Sequence, residues 1–157
     1  MSIEIGKIAP SFSAPCDDGT VIDLSELRGK NVVLYFYPKD DTPGCTIEAQ
    51  DFTSNIEKFV ALNTVVLGVS RDSIKKHCNF IQKYNLAFNL ISDEDGELCS
   101  KYGVLKDKSM FGKKYLGIDR STFIIDKKGN IIKIWNSVKV NGHIDEILAF
   151  LDKSEKN

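Results

Sequence analysis

The chain has no apolar run longer than the six residues 32–37. That falls far short of the roughly 20 a membrane-spanning helix needs, so no membrane partner is expected. It has no excess of either charge: 21 Lys and Arg stand against 22 Asp and Glu, a net of -1 at pH 7. Overall charge therefore lends no support to a nucleic-acid partner. Histidine is scarce, with only His77 and His143, far apart in sequence. The four cysteines, Cys16, Cys45, Cys78 and Cys99, contain no C-x-x-C pair, which excludes a dithiol redox motif and a zinc knuckle. No metal ion or other cofactor is expected. Repeats, low-complexity tracts and linkers are also missing, so a single domain over residues 1–157 is expected. The N-terminus lacks the unbroken apolar stretch of a signal peptide, being interrupted by Glu4, Asp17, Asp18, Asp23 and Glu26. The expected location is therefore the cytoplasm, and in that reducing compartment the cysteines are expected to be free thiols rather than structural bridges.

What is present is ordinary globular material: 157 residues, 42% hydrophobic and 27% charged, enough to bury one sizeable core. The first thirty residues read as short extended pieces broken by turns at Ala9-Pro10, Ala14-Pro15 and Asp17-Asp18-Gly19. Residues 31–37 and 64–70 are β-branched and aromatic without alternation, the signature of strands buried on both faces. Between them a helical stripe runs through Ile47, Phe52, Ile56, Phe59 and Val60. A second helix is expected over 72–85, with Ile74, Cys78 and Ile81 along its inner face. A short strand near 88–91 and a short helix near 95–102 follow. Residues 121–126 and 130–136 flank Lys127-Lys128-Gly129, a hairpin signal, and a last helix covers 142–153. Strand, helix and strand over 32–70 form a right-handed parallel crossover. The result is an α/β fold, a mixed sheet flanked by helices, with its reactive edge beyond the carboxyl ends of the parallel strands. That edge is the loop 38–44.

Charge is unevenly distributed along the chain. Residues 1–56 hold 4 Lys/Arg against 9 Asp/Glu, and residues 106–139 hold 9 against 3. The basic segment reads as a solvated face, part of it beside an anionic reacting group.

Cys45 stands where the first helix begins. Thr42 suits the N-cap and Pro43 the first helical position. Helix N-termini stabilise anions, and the thiolate is the reactive form of cysteine. The plainer reading, a small buried hydrophobe, is also open for Cys45. The loop favours chemistry. Pro38 and Pro43 stiffen it, and the Thr42 hydroxyl can both donate to and accept from a bound oxygen species.

The stretch Tyr37-Pro38-Lys39-Asp40-Asp41-Thr42-Pro43-Gly44-Cys45-Thr46 resembles the active-site signature of peroxiredoxins, in the form of the bacterioferritin-comigratory or peroxiredoxin Q subfamily. The resemblance extends to Met110-Phe111-Gly112-Lys113, to Gly117-Ile118 and to residues 120–126. It implies a thioredoxin-like fold with an N-terminal extension. It implies a thiol peroxidase that reduces hydrogen peroxide and organic hydroperoxides through a cysteine sulfenic acid. By position Cys45 would be the peroxidatic cysteine, Thr42 would bind the peroxide, Pro38 would shield the thiol, and Arg120 would be the active-site arginine. In such a sheet the strand at 121–126 runs antiparallel to 32–37, which brings Arg120 to the Cys45 edge with a permanent charge and a fork of donors. The implied partners are a hydroperoxide and thioredoxin or a similar thiol reductant, with the chain acting as a monomer.

The sequence departs from the subfamily pattern at the resolving cysteine. Many members carry it five residues after the peroxidatic one, where this chain has Gln50. Others carry it in the next helix, near Ile81, and Cys78 lies about one turn earlier. Cys78 is thus the candidate resolving cysteine, with a core role and a one-cysteine mechanism as alternatives. A peroxide sensor that relays oxidation to a partner protein is the rival function, because it shares the first chemical step.

Overall fold

The computed structural model describes residues 3–155. The N-terminal extension forms a two-stranded antiparallel sheet, β1 (Ser13–Pro15) with β2 (Val21–Asp23), then one 3-10 turn at Leu24–Leu27. Next come β3 (Asn31–Phe36), α1 (Pro43–Ser54), α2 (Ile56–Ala61) and β4 (Thr64–Ser70). These are followed by α3 (Ile74–Tyr84), β5 (Asn89–Ser92) and α4 (Glu97–Lys101). A hairpin of β6 (Leu105–Met110) and β7 (Lys113–Ile118) precedes β8 (Ser121–Ile125), β9 (Ile131–Trp135) and α5 (His143–Glu155).

The central sheet has the order β5-β4-β3-β8-β9. Strands β3, β4 and β5 are mutually parallel, while β8 runs antiparallel to both β3 and β9. All six residues of β3 are buried, as its unbroken apolar run requires. Alternation splits them between two cores. Val33, Tyr35 and the following Tyr37 meet Ala49 and Phe52 of α1, Phe59 of α2, Phe80 of α3, and Ile144, Ile147 and Leu151 of α5. Val32, Leu34 and Phe36 meet the N-terminal extension, Leu98 and Cys99 of α4, and Tyr102. Each buried Val, Leu, Ile or Phe among them contributes about 1.5–3 kcal/mol by leaving water. This is the expected mixed sheet flanked by helices, in the thioredoxin-like arrangement with an N-terminal extension.

The structure departs from the sequence reading at three places: the helix after the loop, α3, and the segment before β8. The helix after the loop is not continuous: it ends at Asn55, whose side-chain amide donates to the Asp51 carbonyl, and restarts as α2. Ile47 and Val60, placed on its inner stripe, are exposed, while Cys45, Glu48, Ala49 and Phe52 face inward. A glutamate on the buried stripe disguised its phase. In α3 the buried residues are His77 and Phe80, and Cys78 is only half-buried. The β6–β7 hairpin was not anticipated. It turns on Phe111 and Gly112, both at positive φ, and its strands are mostly exposed, so no buried run announced them.

Candidate active site

Tyr37 ends the buried run, and the chain then leaves the sheet through residues 38–42. Thr42 takes the N-cap conformation (φ -98, ψ 156) and Pro43 opens α1, as their chemistry favours. The Thr42 side chain does not cap the helix, however. Its hydroxyl donates to the Lys39 carbonyl at 2.8 Å, and its own carbonyl accepts from the Thr46 N–H. The amides of the first turn are left without a side-chain cap, a setting that favours an anion. Cys45 lies in that turn, 2% exposed.

Sheet register supplies the cation. Phe36 pairs with Ser121 across the antiparallel β3–β8 ladder, so Arg120, one residue earlier, lies just beyond the end of β3. Its Nη2 donates to Cys45 Sγ at 3.3 Å and its Nη1 to Glu48 Oε1 at 2.6 Å. A methyl group on Gly44 would come within 3.2 Å of Nη2, so the missing side chain there lets the guanidinium lie against the helix. Burial works against the charge on Arg120, but Glu48 and then Cys45 opposite it push its pKa upward.

Glu48 was not foreseen as a site residue, although at i+3 from Cys45 it shares that face of α1. Burial raises its pKa to about 7, with Arg120 pulling the other way. Its second oxygen, Oε2, and the hydroxyl of Tyr35 are both buried without a hydrogen-bond partner. Burial, followed by the field of Glu48, drives the Tyr35 phenol far above its ordinary pKa, so it stays neutral. Its ring stacks on Phe52 at 4.5 Å between centroids.

The structure thus brings Cys45 and Arg120 together and sets Thr42 three residues before the thiol. Pro38 sits exposed at the start of the loop. Cys78 lies on α3, its thiol donating to the Asp17 carbonyl at 3.0 Å. All four cysteines are free thiols. Burial, above all, pushes the Cys99 and Cys16 thiols up from their ordinary values. Asp40, Asp72 and His77, all buried, place ligand-type atoms within 4.8 Å of one another. Their hydrogen bonds to one another and to Tyr37, Ser70 and Ile91 account for the cluster.

A buried thiol in the first turn of a helix thus accepts from an arginine that an antiparallel strand brings to the same edge of the sheet. The AhpC/TSA family model matches residues 5–134. The chain belongs to the AhpC/TSA family, in its Bcp/PrxQ subfamily of peroxiredoxins. It is similar to a putative peroxiredoxin bcp of Coxiella burnetii, 53% identical over 96% of this chain and 100% of that one. Peroxiredoxin Bcp of Bacillus subtilis is 51% identical over 99% and 100% of the two chains. The solved bacterioferritin comigratory protein of Xanthomonas campestris superposes with a TM-score of 0.90 at 41% identity, covering 96% of this chain and 99% of that one. This peroxiredoxin is accordingly a thiol-based peroxidase that reduces peroxides through cysteine. Among the described residues no helix is long and apolar enough to cross a membrane.

Proposed function

We propose that Cys45 is the peroxidatic cysteine and that Arg120, Thr42 and Pro38 form its immediate machinery. The observation that carries this reading is the Arg120 Nη2 hydrogen bond to Cys45 Sγ at the uncapped start of α1. The Cys45 thiolate attacks the terminal oxygen of a hydroperoxide. The S–O bond forms, the O–O bond breaks, and the departing alkoxide takes up a proton to leave as an alcohol. Sulfur loses two electrons and the peroxide gains them, so the chemistry needs no bound cofactor. Arg120 faces both the thiolate and the charge that builds on the leaving oxygen. Thr42 holds the peroxide through its hydroxyl, and Pro38 limits the access of water.

Cys78 then closes a disulfide with Cys45: its thiolate displaces hydroxide from the sulfenic sulfur, and water is the by-product. Cys78 is half-buried, whereas Cys16 and Cys99 are fully buried. That favours it among the remaining thiols. Thioredoxin or a similar dithiol reductant returns both cysteines to thiols and is itself oxidised. The chain works as a monomer of one domain, in the cytoplasm, on hydrogen peroxide and organic hydroperoxides. The Xanthomonas campestris relative, described as having alkyl peroxide reduction activity, supports the organic substrates.

The test is mass spectrometry of the intact protein after one equivalent of peroxide, followed by non-reducing peptide mapping. A Cys45–Cys78 linkage, absent in Cys45→Ser, is the expected result. Oxidation that begins at another cysteine would overturn the assignment of Cys45. A missing linkage, with undiminished thioredoxin-driven turnover in Cys78→Ser, would remove Cys78 from the mechanism.

A further inference from the structure

Two consecutive residues of the loop before Cys45 are held by α3. Asp40 is buried, and its Oδ2 lies 2.7 Å from His77 Nδ1. Its Oδ1 accepts from the Tyr37 hydroxyl at 2.5 Å, and its backbone N–H donates to Asp72 Oδ2 at 2.8 Å. His77 has no exposed surface, and its Nε2 donates to the Ile91 carbonyl of β5 at 2.9 Å. The imidazole therefore spans from the sheet to the loop. Asp41, the next residue, has a φ of 58°, the left-handed region that a side chain disfavours. Its carboxylate accepts from Lys83 Nζ at 2.8 Å and from the Tyr84 hydroxyl at 2.6 Å. Strained backbone persists only where its surroundings hold it, and here two ends of one helix do so. The residue after His77 on that helix is Cys78.

We propose that His77 is a positioning residue for peroxide reduction. Its hydrogen bond to Asp40 latches the loop 38–42, and with it the Cys45 end of α1, in the geometry for attack. The same latch must open before Cys78 can reach Cys45. This second half rests on the reading of Cys78 as the resolving cysteine. A residue that merely supported the fold would change both steps in one direction. A latch moves them in opposite directions: a loosened loop slows attack, and a loosened α3 speeds the unwinding that disulfide formation requires.

The experiment is rapid-mixing kinetics on His77→Gln and Asp40→Asn, the second nearly isosteric and a safeguard should the first fail to fold. Each is expected to slow Cys45 oxidation by about 10-fold and to speed Cys45–Cys78 bond formation several-fold. The double variant is expected to be no slower in oxidation than the slower single variant, because both changes remove one interaction. Hydrogen exchange on the reduced protein is expected to rise together over 38–46 and 74–82. A folded variant in which both rates fall, or in which exchange over 38–46 stays at the wild-type level, overturns the latch. Should the wild type form no Cys45–Cys78 linkage, the resolving role of Cys78 fails by itself. Slowed oxidation with raised exchange over 38–46 then upholds the positioning role, and unchanged values refute it.

Discussion

Cys45 and Cys99 occupy matching places: each is the third residue of a helix, α1 or α4, and each is buried. Their surroundings differ in sign. At α4 the buried carboxylate of Asp93 fills the helix N-terminus, accepting from the Leu98 N–H at 3.0 Å and the Cys99 N–H at 2.8 Å. After burial itself, the hydrogen bond to Asp93 and its charge are the next largest causes raising the Cys99 pKa, well above the ordinary range. At α1 no side chain caps the helix, and the group facing the thiol is a guanidinium. Two cysteines with the same local address thus face opposite charges, a carboxylate at α4 and a guanidinium at α1. On the proposed reading of Cys45, position at a helix start is insufficient for reactivity, and what else faces the helix end decides.

The largest expected effect separates the two thiols outright. Cys45→Ser should abolish peroxide consumption while far-ultraviolet circular dichroism stays unchanged. Cys99→Ser should keep turnover within about twofold of wild type and lose only the modest stability of a core substitution, about 1 kcal/mol. Peroxide turnover surviving in Cys45→Ser would collapse the comparison.

Next in size is the cation. Arg120→Met removes the charge and both donors while keeping an apolar stem. The peroxide step should slow by about 10²–10³-fold, the scale of losing a transition-state charge partner. The rate of Cys45 alkylation at neutral pH should fall toward that of Cys99. Stopped-flow oxidation and timed alkylation with mass detection measure both, and unchanged rates would remove Arg120 from the reaction.

Glu48 predicts a smaller effect whose sign is fixed. Its folded-state pKa, about 7, lies above the ordinary 4.5 because burial disfavours the carboxylate. Between those values the folded chain retains a proton that the unfolded chain releases. The stabilisation from this group is complete below about 4.5 and is lost as pH rises through about 7. Wild-type stability should therefore decline across that window, and Glu48→Gln should flatten the decline. Denaturant unfolding at a series of pH values tests this; an identical slope in the variant would refute it.

The smallest effect is expected at α4. Asp93→Asn keeps the shape of the cap but removes its charge, at an expected loss of about 1–2 kcal/mol of stability. Cys99 should then alkylate faster than in wild type, yet remain slower than Cys45 because it is still buried. Cys99 left as inert as before would mean that burial alone, without the carboxylate, controls it.

The sequence by itself determined the buried strands, the parallel crossover and the reactive loop, because these are local patterns: unbroken apolar runs, prolines, and a capping residue ahead of a cysteine. It also pointed to Arg120, since strand direction carries the start of β8 to the end of β3. Only tertiary structure decided which charges meet. Nothing in the sequence singled out Glu48, which packing turns inward beneath Arg120. The Thr42 side chain was expected to cap α1, but the curvature of the loop offered it the Lys39 carbonyl instead. Asp40 and His77 meet from positions 37 residues apart in the chain. Hydrophobic periodicity is a property of neighbours along the chain, whereas the worth of a buried charge depends on partners that arrive from elsewhere. The sheet and the place of Cys45 at a helix start were therefore legible residue by residue, and the electrostatics around them emerged only when the strands and helices closed.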